Sequence, residues 1–450
     1  MHRLILYIWL VLFVLPGKTI AQGSPDFNHI NSETYRFYVE QKWDSLIHLG
    51  KEALKGGIDF YYLRMRIGIA CYNKKKYRKS EDHFRAALEL NLGDPVALEY
   101  LYYSMLFSGQ SERSLLVRKT FKGDLALRLP PQKGKFLDRL GVEYLFNYGN
   151  NKDHFSNPEE LYSGYPPGVQ MTTRQFSNFT FSLKNRIAPG FSLIHGYTYL
   201  SKQSHYYYQD GTYNFYVQDL RVNQHQYYLS SLISAYSGFT IRPAFHLVGG
   251  HYQVPTAVTY GYRGDQRVTM DNVPYRDFVG GVGLKKELGC FDLHLEGYYA
   301  TLNLADQIQN RLGIVWFPAG NLNLYSGGFV NSQYEVTDSN GSFRFVYEVL
   351  LGFSIKEKIW FDLNGTLGDI ANYVESNGQF VYNSYSDIIR KKVKLSISIP
   401  VSDRGSLLYL GGRWTSNQSG YIPMGTEQTD QSNIISYNAF SIYGGLSWKF

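Results

Sequence analysis

The chain has 450 residues, a formal net charge of +7, 44% hydrophobic and 16% aromatic side chains, and only 18% charged ones. Beyond the first residues no apolar run nears the about 20 residues that a helical span requires, so a helical membrane protein is excluded. The two cysteines, Cys71 and Cys290, are too few for a disulfide framework, and the modest charge, partly in Lys74-Lys75-Lys76 and Arg390-Lys391-Lys392, reads as solvated or interfacial, not as a nucleic-acid site.

At the start, His2 and Arg3 precede an apolar run from Leu4 to Leu15, Pro16-Gly17 breaks it, and Thr19-Ile20-Ala21 supplies small residues. That order predicts a signal peptide over 1–21, with the processed chain beginning near Gln22. From about Asn31 to Leu129 the pattern is helical and repeats. Trp43 and Tyr77, Ala53 and Ala87, and Leu54 and Leu88 each lie 34 residues apart, the tetratricopeptide length. A third copy begins at Asp94-Pro95. Three copies are near the minimum that can share a core, so 22–130 is expected to form a short helical solenoid. Cys71 falls at a helix-packing position, and a bridge to Cys290 is not expected.

After Pro130-Pro131 the period changes to two. Phe343, Phe345, Tyr347, Val349, Leu351, Phe353 and Ile355 alternate with Arg344, Glu348, Gly352 and Ser354; Val393 to Ile399 and Phe291 to Leu295 behave alike. About fourteen strands fit between 138 and 450, the last ending on Trp448-Lys449-Phe450. Short links at 188–190, 237–238, 287–289, 318–320, 356–358 and 402–404 alternate with longer polar ones at 148–173, 204–221, 253–273 and 417–435. Links at 303–306, 336–342 and 372–379 are shorter, and 380–399 is expected to be one strand. Tight turns on one side and long loops on the other are the pattern of an outer-membrane barrel, whose residues face lipid and lumen in turn. The fold class expected is α+β multidomain: a periplasmic tetratricopeptide-like arm over 22–130, then a transmembrane antiparallel β-barrel over 131–450.

Metal-ligand spacings, a phosphate loop and a nucleophile elbow are all missing from the sequence, so no catalytic residue, metal or cofactor is expected, and the chain is not expected to be an enzyme. Gly280-Gly281-Val282-Gly283 lacks the phosphate-loop spacing; its glycines are expected to make room for bulky neighbours across the barrel wall. On the alternation, Arg242, His246, Asp292, His294, Glu296, Arg311, Arg344, Glu348, Asp362, Lys392, Lys394 and Arg413 are expected in the lumen. Their mixed signs suit either an aqueous channel or a wall stiffened by ion pairs. Tyr206, Tyr207, Tyr208, Tyr213 and Tyr216 are candidates for an outer-loop ligand surface, or for interfacial girdle positions.

A leader, helical repeats and a C-terminal barrel together resemble the exopolysaccharide exporters, though with a shorter arm and a smaller barrel. The segment Trp316-Phe317-Pro318-Ala319-Gly320-Asn321-Leu322-Asn323-Leu324-Tyr325 is similar to the YaiO-type outer-membrane family. The likeness implies location and architecture, with no established reaction. Two functions follow as expectations. In the first, the arm recruits a periplasmic protein or polysaccharide for transport or export through the barrel; in the second, a non-conducting barrel anchors a periplasmic assembly. Lipid of the outer membrane is the one partner both require.

Overall fold

The computed structural model describes residues 26–130, 134–157, 161–210, 214–260, 266–337, 341–383, 387–402, 405–424 and 430–450; the expected leader lies outside them. Seven helices come first: α1 (Phe27–Val39), α2 (Trp43–Lys55), α3 (Tyr61–Asn73), α4 (Tyr77–Leu90), α5 (Pro95–Phe107), α6 (Ser111–Arg118) and α7 (Gly123–Arg128). The odd helices α1, α3 and α5 begin 34 residues apart, and so do α2, α4 and α6. Local chemistry sets some of these starts. Asp26 and Asp94 accept hydrogen bonds from the backbone amides of Asn28 and Ala97, and Pro95 sits in the first turn of α5.

The helices interlock because small residues face large ones. A side chain at Gly68 of α3 would lie 2.9 Å from the Phe84 ring of α4, and Phe84 is fully buried, stacked on Tyr100. Replacing Phe84 with Ala is expected to cost about 3–5 kcal/mol within the arm. Far-UV circular dichroism should show an earlier helical melt, while the heat-dependent gel mobility of the barrel stays unchanged.

Fourteen antiparallel strands follow and close on themselves. They are β1 (Lys135–Gly149), β2 (Gly168–Ala188), β3 (Phe191–Gln209), β4 (Asn214–Ser234), β5 (Phe239–Tyr260), β6 (Gln266–Leu288) and β7 (Phe291–Leu302), then β8 (Ala305–Trp316), β9 (Leu324–Val336), β10 (Gly341–Ile355) and β11 (Ile359–Ile370). A two-stranded hairpin, β12 (Tyr373–Glu375) and β13 (Phe380–Tyr382), interrupts the wall before β14 (Asp387–Pro400), β15 (Leu407–Pro423) and β16 (Asp430–Lys449). Closure joins β1 to β16, from Arg139 opposite Lys449 to Gly149 opposite Ala439. The expected architecture of helical arm and antiparallel barrel stands.

Alternation sets the exterior. Along β10, Phe343, Phe345, Tyr347 and Val349 are 47–63% exposed, whereas Val346 between them is buried; Ile442 of β16 reaches 76%. Exposed apolar side chains recur on strand after strand, a surface costly in water and suited to hydrocarbon. The tight links, both ends of the barrel chain and the helical arm lie at one end of it.

Three expectations are corrected at the other end. Residues 204–221 and 253–273 are largely paired strand, not loops: Tyr206 to Gln209 pair with Val217 to Asn214, and Tyr252 to Tyr260 with Val273 to Gln266. A lipid-crossing strand needs only about 9–11 residues, so β5, with 22, rises well beyond the apolar band. Polar and aromatic residues there mark exposure to water, while cross-strand aromatic pairs keep the ladder going. Second, 380–399 is not one strand, because it breaks between β13 and β14. Third, the link at 372–379 turns into the barrel instead of outward. At the rim, Ile422 of β15 pairs directly with Val169 of β2 above the end of β1, which narrows the mouth.

Candidate functional site: a luminal hairpin above a chamber

The β12–β13 hairpin lies inside the barrel. Ser376, Asn377 and Gly378 form its tip with φ of 56°, 57° and 80°, a left-handed run that makes the reversal tight. Side chains of the wall take the place of a neighbouring strand. The Val374 amide donates to Gln309 Oε1 at 3.0 Å, and Gln309 Nε2 donates back to the Val374 carbonyl at 2.6 Å. Gln333 Nε2 donates to the Asn372 carbonyl, Tyr228 Oη to that of Asn377 at 3.0 Å, and His246 Nδ1 to that of Gly378 at 2.7 Å. The hairpin thus touches β4, β5, β8 and β9 at once, which places it across the lumen.

Charge fixes its two legs. Tyr373 Oη donates to Glu348 at 2.7 Å, and Lys392 of β14 meets Glu375 at 2.5 Å and Tyr382 Oη at 3.2 Å. Arg311 lies between Glu296 at 2.7 Å and Glu348 at 2.9 Å, with its guanidinium 3.6 Å from the centre of the Phe329 ring. Two glycines of β6 make the fit possible. A side chain at Gly283 would meet Asn377 Oδ1 at 2.6 Å, and one at Gly281 would meet the Tyr298 ring at 2.3 Å.

The other luminal candidates have local partners. Arg344 pairs with Glu335 at 2.5 Å, Asp362 accepts from Tyr325 Oη, and Arg413 donates to Ser441 Oγ at 3.1 Å. Lys394 sits 5.0 Å from the Tyr443 ring and 5.8 Å from that of Phe380 on the hairpin. Asp292 faces the arm instead, and Arg242 and His294 face a chamber below the hairpin.

That chamber has a volume of about 430 Å³. Asn377 bounds it on the hairpin side and Gly109 to Arg113, where α6 begins, on the other; Arg242, Lys285, His294, Val315 and Leu350 belong to its wall. The arm docks on this end through buried contacts. Arg78 of α4 pairs with Asp292 at 2.6 Å and lies 3.7 Å from the centre of the Phe317 ring, while its backbone amide donates to the Gly320 carbonyl at 2.9 Å. Arg113 binds Glu287, and Glu112 takes Lys184 at 2.5 Å and Ser192 Oγ at 3.1 Å. Asn321 Nδ2 donates to the Lys75 carbonyl at 2.9 Å.

The tyrosine candidates do not form one outer surface; the pleat splits them. Tyr207 is buried and stacked on Tyr162 at 3.7 Å, and Tyr216 stacks on Phe155 and bonds His205 Nδ1. Tyr206 and Tyr208 lie on the opposite face, against Phe215. Tyr213 lies outside the described residues. The inward set, with Phe155, Tyr162 and Tyr421, forms a second, aromatic narrowing near the rim.

Tyr373, Glu375, Gln309, Arg78 and Arg113 were not among the sequence candidates. The tripeptides Tyr373-Val374-Glu375 and Phe380-Val381-Tyr382 around Ser-Asn-Gly do carry a hairpin signal. Among the described residues no group of three His, Cys, Asp or Glu could hold a metal. Both cysteines are free, and burial pushes the Cys71 thiol up to about 11.

No protein-family model matches the chain, and no curated protein does. Among solved structures, the Pseudomonas putida toluene transporter TodX aligns over 73% of this chain and 94% of its own, at 9% identity and a TM-score of 0.42. A Pseudomonas aeruginosa FadL homologue aligns over 70% and 90%, at 7% identity and 0.38. A point mutant of MamA aligns over 22% of this chain and 77% of its own, at 20% identity and 0.21. At these scores the fold rests on the strand pairings of the chain itself.

Proposed function

We propose that the chain is an outer-membrane channel for a small solute, shut at rest by the luminal hairpin and by the helical arm docked on the periplasmic mouth. The observation that carries this reading is how the plug is held. Gln309, Gln333, His246, Glu348 and Lys392 grip the hairpin through hydrogen bonds and an ion pair. Water can replace such contacts when the hairpin swings aside, at a net cost of about 0.5–1.5 kcal/mol for each neutral bond. An apolar plug would have no such exchange available.

Location follows from the same physics. A closed barrel with an apolar exterior satisfies its backbone in lipid, and the end with short turns and both chain ends is the periplasmic one in barrels of this kind. The segment Trp316 to Tyr325 contains the β8–β9 turn where Phe317, Gly320 and Asn321 receive the arm. Polymer export has less support. The arm lies over the mouth, and the space left there suits a small solute.

The test is planar-bilayer recording on the full chain and on a chain lacking residues 22–130. Brief openings in the first and longer ones in the second are expected. Silence in both, with the barrel folded, would favour the scaffold reading, which the cross-lumen set Glu296, Arg311 and Glu348 also fits; residues 22–130 should then retrieve a defined periplasmic partner.

A further inference from the structure

Resting on the channel reading, we propose that the chamber between hairpin and arm binds a small monocarboxylate with an apolar body, and that Arg242 is the residue that recognises its charge. The carboxylates around the chamber are already committed. Glu112 holds Lys184 and Ser192, Glu287 holds Arg113 and Lys285, and Asp292 holds Arg78. Among the described residues Arg242 has no ion pair, although it is partly buried and a guanidinium stays charged throughout the working pH range. One positive charge is therefore left without an ion-pair partner on the wall of the chamber. Desolvating it without an anion is unfavourable, and a planar carboxylate matches its fork of donors.

The rest of the lining decides what body the anion carries. Val315, Phe317, Leu322 and Leu350, from β8, the turn after it and β10, give an apolar patch in the same chamber. The volume, about 430 Å³, falls within the about 300–1,000 Å³ of small-molecule sites. A bare inorganic ion would leave that patch wet. Because Asn377 at the hairpin tip also bounds the chamber, an occupant sits where it can bias the hairpin.

Calorimetric titration of the full chain in lipid nanodiscs tests the assignment with hexanoate, hexanol, hexylammonium and acetate. Hexanoate is expected to bind on the order of tenfold more tightly than the other three, and Arg242→Ala to remove that preference while Arg242→Lys keeps part of it. Heat-dependent gel mobility checks that each variant remains a folded barrel, and Arg242→Gln serves if Arg242→Ala does not. Equal binding of hexanol and hexanoate, or unchanged hexanoate binding by the variant, overturns the proposal, and tight acetate binding reduces it to a simple anion site. Hexanoate binding without any flux in proteoliposomes keeps the site and sinks the channel. Flux with no Arg242-dependent binding does the reverse.

Discussion

A variant lacking residues 372–386, with Ala371 joined to the start of β14 by a short glycine-serine turn, is expected to conduct on the order of tenfold more than the full chain in planar bilayers. A fourteen-strand wall has a width between small filled barrels and open porins, so what lies inside decides whether it conducts. Here the contents are largely this hairpin, bonded to strands from β4 to β14. Its loss frees Gln309, Gln333, His246, Glu348 and Lys392, but water replaces the hairpin, so these polar groups are rehydrated and not stranded. A milder variant separates occupancy from gating. Lys392→Ala leaves the Glu375 carboxylate without its 2.5 Å partner, and breaking a buried pair costs about 3–5 kcal/mol. That variant should keep the full hairpin yet flicker open more often. Unchanged conductance in both, with the arm also removed, would mean that the lumen is sealed by something other than the hairpin.

Where one face of an element met a single kind of neighbour, its placement was legible in the sequence. The outward set of β10, from Phe343 to Ile355, has lipid on one side and the lumen on the other, so period two shows directly. The helical repeat was legible for the same reason: Trp43 and Tyr77 open α2 and α4, the second helices of successive repeats, and Phe84 needs Gly68. The outer half of β3 and β4 was not. Tyr206 to Gln209 look like a polar loop because water, not hydrocarbon, surrounds that stretch, and hydropathy responds to solvent, not to strand pairing. The hairpin was hidden by a different cause. Tyr373-Val374-Glu375 has the composition of any short β segment, and its inward turn depends on Gln309, Gln333 and Glu348, which stand 25 or more positions earlier on other strands and have no spacing rule linking them to it. The docking of the arm was invisible likewise, since Arg78 lies on a helix as an ordinary basic residue until Asp292 is placed opposite.

That last pair supports the second large effect. Asp292→Ala is expected to speed hydrogen exchange of the Arg78 amide by on the order of a hundredfold or more, because that amide is bonded to the Gly320 carbonyl across the junction. Arg78 is 2% exposed, and without Asp292 its guanidinium keeps only the Gly289 carbonyl at 3.2 Å and the Phe317 ring. Stranding a buried charge costs about 3–5 kcal/mol, and an arm that can swing into water avoids that cost by undocking. Lys75→Ala is the matched control. Its partner Glu357 is 2.8 Å away but both side chains are about half exposed, so the pair is worth about 0–1 kcal/mol and exchange should hardly move. If the Arg78 amide stays protected in Asp292→Ala, the junction is held by Arg113, Glu112 and the apolar contacts of Leu322, and Arg78 is a passenger. If it exchanges freely while α4 remains helical, the arm is a detachable cap. In that case Asp292→Ala should lengthen openings most in the variant without the hairpin, where the arm is the closure that remains.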